Sequence, residues 1–244
     1  MIHNLKAFGL AMAAVFAMSA VAASAASAQQ GKLTSDGPVT LVAEETGIAA
    51  NAVTAFGLRA ECPGSIGTGH KYNVTPHTFI PSGETTFTLT PHLKSANHNC
   101  RVFPGNYPTT ADFNGCDYVT HIGQTVGGIS GTYSGTNDIV CPAGQEITWT
   151  IFTNTTDETN NKPFCIMHIK PQTGLTGGHA KDTGNGFIDL AGTIGGVHVS
   201  KTSVSHPLLC PNATTTTAQL HGDGTVRGVD ELGKSTPISI SEQP

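Results

Sequence analysis

Apolar and polar residues alternate over short windows along most of this chain, the period of two that turns one face of a β-strand toward a core. Val39, Leu41 and Ala43 alternate with Thr40 and Val42, and Phe56, Leu58, Ala60 and Cys62 alternate with Gly57, Arg59 and Glu61. The same pattern carries Phe87 and Leu89, then Ile147, Trp149 and Ile151, then Cys165, Met167 and Ile169. Further strands are expected around 186–194, 197–204, 214–220, 225–229 and 237–241, where Gly, Asn, Asp and Pro clusters mark the breaks. Helical periodicity is nearly absent; its mildest trace is Glu45 to Ala55. The pattern predicts an all-β, antiparallel β-sandwich or barrel-like architecture. Phe56, Leu58, Phe87, Leu89, Ile147, Trp149, Ile151, Met167 and Ile169 are its expected inward-facing residues.

The first residues have a different character. Lys6 precedes an alanine-rich apolar run, and Ala26-Ser27-Ala28 supplies the small side chains that a signal peptidase needs. The run is shorter than the ~20 residues that span a bilayer. Residues 1–28 therefore read as a cleaved signal peptide, 29–37 as a flexible N-terminal segment, and 38–244 as the β-rich region. That region is one large sandwich, or two smaller β modules divided in the glycine-bearing stretch 123–135. The mature chain is expected to be secreted, extracellular or in the cell envelope, with no membrane insertion.

Formal net charge is −5, and losing residues 1–28 removes Lys6 and no acid. Lys and Arg are few and unclustered, so no nucleic-acid partner is expected. Charged residues are 12% of the chain, about half the common share; hydroxyl and amide side chains carry solubility instead.

Six cysteines in an exported chain predict three disulfides among Cys62, Cys100, Cys116, Cys141, Cys165 and Cys210. Fifteen connectivities are possible, and spacing does not choose among them. No Cys-x-x-Cys occurs, which argues against a cysteine-based zinc site.

The cysteines and their frames resemble an uncharacterised family of exported bacterial proteins. The matching stretches are Phe87-Thr88-Leu89-Thr90-Pro91, Cys100, Asn114-Gly115-Cys116-Asp117-Tyr118, Ile139-Val140-Cys141-Pro142 and Cys165-Ile166-Met167-His168-Ile169. The resemblance runs from about Ala60 to Gly228. It implies one cysteine-bearing β unit over most of the mature chain and carries no activity, cofactor or catalytic residue.

Candidate chemistry is sparse. There are eleven histidines, but no His-x-His and no helical His pair flanking a Glu. Cys165 and His168, three apart, face opposite sides of a regular strand. The weak metal candidates are His168, His179, His198 and Asp182, with His206, His221 and Asp223 as the remaining groups that could converge on them. Oxygen-rich loops at Asp157, Glu158, Asn160 and Asn161, and at Asp182, Asn185 and Asp223, allow a structural calcium, although polar turn chemistry explains the same residues. No cofactor is expected. Gly-x-Ser-x-Gly is absent. Trp149 shares the apolar phase of its strand, which places it in the core rather than on a sugar-binding face. The expected function is that of a non-catalytic structural or binding protein with a cell-envelope or extracellular ligand. The alternative is a secreted metal-dependent enzyme with a histidine-rich site.

Overall fold

The computed structural model describes residues 30–45, 51–62, 77–80, 83, 85–89, 100–127, 129–153 and 162–242. The signal segment, the Asp157–Asn161 loop, His70, His92 and His98 lie outside the described residues. The strands are β1 (Gly31–Ser35), β2 (Val39–Glu45), β3 (Asn51–Ala55), β4 (Leu58–Cys62), β5 (His77–Ile80), β6 (Thr86–Leu89), β7 (Cys100–Phe103), β8 (Tyr107–Asp112) and β9 (Asp117–Thr125). They continue with β10 (Thr132–Val140), β11 (Ile147–Phe152), β12 (Pro163–Ile169), β13 (Gln172–Asp182), β14 (Phe187–Ser203), β15 (Ala213–Val229), β16 (Ser235–Thr236) and β17 (Ile238–Glu242). The fold is all-β, and every ladder among the described residues is antiparallel.

Two 17-residue strands, β14 and β15, organise the molecule. Their ladder closes the order β15-β3-β4-β7-β8-β11-β12-β14 into an eight-stranded barrel. The other halves of the same two strands take different neighbours, β14 pairing with β13 and β15 with β2. These extend the same sheet through β13-β10-β9-β6 on one side and β2-β5 on the other, and its end strands β5 and β6 approach each other. Each half has its own core. Val53, Ala60, Val102, Ile147, Trp149, Ile151, Met167, Ile169, Val197 and Val199 fill the closed barrel. Leu33, Val39, Leu41, Phe87, Ile122, Tyr133, Ile188, Val226, Ile238 and Ile240 fill the second half. A fully buried side chain of this size contributes about 1.5–3 kcal/mol.

Strict alternation produces these cores. β11 is buried at Ile147, Trp149 and Ile151 and half-buried between them, and Cys165, Met167 and Ile169 do the same in β12. Phe87 and Leu89 are also buried.

Four sequence expectations need correction. Phe56 is not inside a strand: Ala55 pairs with Leu58, so Phe56-Gly57 is a two-residue hairpin turn with φ 56° and 74°. Both central residues at positive φ define the turn whose twist matches its flanking strands. Phe56 and Leu58 are half-buried and still pack against the barrel core, and the Lys201 ammonium lies 4.8 Å from the Phe56 ring centroid. Second, the segment 29–37 is not simply flexible, because β1 pairs with β17 across five residues and Leu33 is buried. Third, Gly195-Gly196 and Gly222-Asp223-Gly224 do not end strands; they lie within β14 and β15, the first pair at a register shift. Fourth, the weak helical trace over Glu45 to Ala55 includes strand β3.

The stretch 123–135 lies in the β9–β10 hairpin, with Tyr133 opposite Thr125. All six cysteines are paired, each with the next in sequence: Cys62–Cys100, Cys116–Cys141 and Cys165–Cys210. Cys62 and Cys100 continue the β4–β7 ladder by one position, and Cys116 and Cys141 continue β9–β10. Strand register therefore chose these partners.

Candidate functional site

The two halves meet at a line of small residues. Gly135 in β10, Gly177 and Gly178 in β13, Gly192 in β14 and Gly222 in β15 lie side by side across the sheet. Gly178 pairs with Gly192, and Gly192 with Gly222. Gly135 sits in the register shifts that join β10 to both β9 and β13. Each strand changes core at this seam. β10 sends Tyr133 to one core and Ile139 to the other, β13 divides Ala180 from Leu175, and β15 divides Val226 from Leu220. Gly192, at φ +143°, permits a close backbone approach: a Cβ there would stand 2.7 Å from the Gly177 carbonyl oxygen.

Where the side chains of two cores should interdigitate, the seam offers none, and a cavity of about 220 Å³ remains. Val53, Trp149, Ile194 and Leu220 reach it from the barrel, and Leu89, Ile122, Ala180 and Leu190 from the second half. A space of this size holds a molecule of roughly ten non-hydrogen atoms. Its lining is largely apolar, with Tyr118, Thr120, Ser134, Asn137, His121, His179, His221 and Asp223 as polar members. Thr120 and Asn137 are both more than nine-tenths buried, and the Thr120 hydroxyl donates to Asn137 Oδ1 at 2.9 Å. Burial of the Tyr118 phenol pushes its pKa above the ordinary value.

Among the described residues the histidines do not gather as a metal site; three of them tie strands together. His168 in β12 places Nδ1 2.6 Å from Glu146 Oε1 and Nε2 2.8 Å from the Thr202 hydroxyl of β14. His121 in β9 places Nε2 2.8 Å from Asp138 Oδ2 and Nδ1 3.2 Å from the Thr86 hydroxyl. His221 bridges the hydroxyls of Thr54 and Thr193, at 3.3 and 2.8 Å. The first two reproduce the carboxylate–imidazole–hydroxyl order of a hydrolytic relay. Its recurrence between neighbouring strands, and a third time without a carboxylate, marks a cross-strand tie.

Of the other metal candidates, His179 and Asp223 border the cavity together with His121 and His221, whereas His198, His206 and Asp182 stand in separate surroundings. His179 is exposed on β13 opposite Ser134 and Ala191. His198 is exposed on β14, where its backbone N–H donates to Gln172 Oε1. His206 accepts from or donates to Ser205 and packs edge-on against Phe164. Asp182 accepts from the N–H groups of Gly184 and Ile240, pinning β17 to the β13–β14 turn. Asp223, opposite Ala191, reaches the cavity instead. Among the described residues no three His, Cys, Asp or Glu side chains gather as a metal site; Asp182 lies opposite Ile188 and Asp223 opposite Ala191, so the two do not share one loop.

Two of these groups make stability depend on pH. Burial holds the His221 pKa below its ordinary value, with help from the positive Arg59. Its neutral form is then favoured in the fold, and stability falls as pH drops below the unfolded value of about 6.5. Burial alone would raise the Asp138 carboxyl, but the Gly174 N–H and His121 outweigh it and hold it below the ordinary value. Its contribution is complete above about pH 4 and lost as pH falls through the lower folded pKa. Thermal unfolding followed against pH is expected to show two acid steps. His221→Gln should flatten the upper and Asp138→Asn the lower; unchanged profiles in both variants would refute the assignment.

Fold and cavity together define a disulfide-bonded, all-β protein with an apolar interior space. Comparison with protein families, with curated proteins and with solved structures finds no match.

Proposed function

We propose that this is an exported binding protein that holds a small, largely apolar molecule in the cavity at the glycine seam. The observation that carries the reading is the cavity itself: folded interiors are packed to crystal density, and here glycine and alanine stand at inward positions of adjacent strands. An apolar concavity with a few polar groups is the usual form of a small-molecule site. Three disulfides indicate an oxidising compartment, and the signal layout of residues 1–28 supports export.

Trp149 is the one tryptophan of the chain and lines the cavity, so its fluorescence reads occupancy directly. Titration with a small aromatic hydrocarbon such as indane is expected to give a saturable, one-to-one change. Ala180→Leu, which projects a side chain into the space, should abolish it while leaving the far-ultraviolet spectrum unchanged. A response that never saturates, or that survives the filling substitution, would refute the reading.

A further inference from the structure

We infer that the ligand of this cavity carries a carbonyl oxygen, and that the side-chain amide of Asn137 is the group that recognises it. The inference rests on the binding role proposed above and adds the chemistry of the ligand. Tyr118, Thr120 and Ile122 share one phase of β9, and Thr120 stands directly opposite Asn137 of β10. A polar pair at this depth is costly unless its donors and acceptors are used. The Thr120 hydroxyl uses its proton on Asn137 Oδ1, which orients the amide and turns Nδ2 the other way. An amide nitrogen brings two donors.

The residue facing Nδ2 is Gly178, where a Cβ would stand 3.1 Å away. Any other residue there would crowd that nitrogen. Glycine leaves it open, and both Gly178 and Asn137 line the cavity. A fixed N–H donor at the wall of an apolar space selects an apolar body bearing one acceptor oxygen. Its partner Thr120 holds the amide in place.

Indane and 1-indanone share a skeleton and differ by one carbonyl oxygen, so they separate the cavity from its head-group contact. Wild-type protein, followed through Trp149 fluorescence, is expected to bind the ketone roughly three- to tenfold more tightly than the hydrocarbon, the value of one net hydrogen bond. The test variant is Thr120→Val/Asn137→Leu, which replaces both members of the pair by apolar groups of similar shape and leaves no buried partner orphaned. It should lose the ketone preference, binding the two compounds with equal affinity. Equal saturable binding of both compounds by the wild type would overturn the head-group assignment and leave the apolar-ligand reading standing. A ketone preference that survives the double substitution would overturn the role of Asn137 in favour of Tyr118. If neither compound binds saturably, the apolar-ligand reading fails, and this inference with it.

Discussion

Complete reduction of the protein is expected to unfold it at room temperature without denaturant. The three bridges close separations of 38, 25 and 45 residues. On the chain-entropy relation each restricts the unfolded chain by about 3.5–4 kcal/mol, with Cys165–Cys210 the largest. The loops follow one another without interleaving, so the three contributions are close to independent and sum to about 11 kcal/mol. That is as large as the whole stability of a typical domain. Cys165–Cys210 should also matter most structurally, because it fixes β12 to the loop between the two long strands that serve both halves. Denaturant unfolding followed through Trp149, with and without reductant, checks the whole. The variant Cys165→Ala/Cys210→Ala checks the largest part. An unchanged midpoint in the reduced protein would show that the bridges decorate a fold that stands without them.

The strand content was legible because alternation is a local signal: residues 147–151 and 165–169 carry their burial pattern within a few positions. Disulfide formation was equally legible from cysteine number and the signal-like layout of the first residues. The pairing was not, since it follows from β4 lying beside β7 and β9 beside β10, facts of register that spacing does not contain. The glycines misled in an instructive way. Gly195-Gly196 and Gly222-Asp223-Gly224 read as punctuation, yet each lies within one long strand whose two ends serve different cores. A bend and a break use the same residue. The cavity was illegible for a related reason, being made of side chains absent from strands 40 to 90 residues apart in sequence, roughly the distance from Gly135 to Gly178 and to Gly222. Trp149 lies inside as its phase predicts, but that phase could not reveal that it lines a cavity. The histidine ties were hidden too, because each needs a hydroxyl from a strand that only the fold brings near.

The seam glycines are expected to give the largest single-residue losses outside the cysteines. At Gly192 the backbone holds φ +143°, and an added Cβ would lie 2.7 Å from the Gly177 carbonyl oxygen and 3.0 Å from the Gly178 Cα. At Gly177, with φ +112°, it would lie 2.1 Å from the Thr193 carbonyl oxygen. Both obstacles are backbone, which cannot rotate aside as a side chain can. Both also fall where the β13–β14 register shifts between Thr176 and Gly178, so relief would require unpairing the strands that join the two halves. Unfavourable φ costs about 1–3 kcal/mol by itself, and with the clash Gly192→Ala and Gly177→Ala should each cost about 3 kcal/mol or more. For a chain of this size that lowers the unfolding midpoint by roughly 10 °C. Gly196→Ala separates the two terms. Gly196 also has positive φ, +74°, but nothing lies within 4 Å of its added Cβ, so it should cost only about 1–2 kcal/mol. If Gly192→Ala proves no worse than Gly196→Ala, the backbones at the seam do not approach as closely as described, and the account of why a cavity forms there loses its foundation.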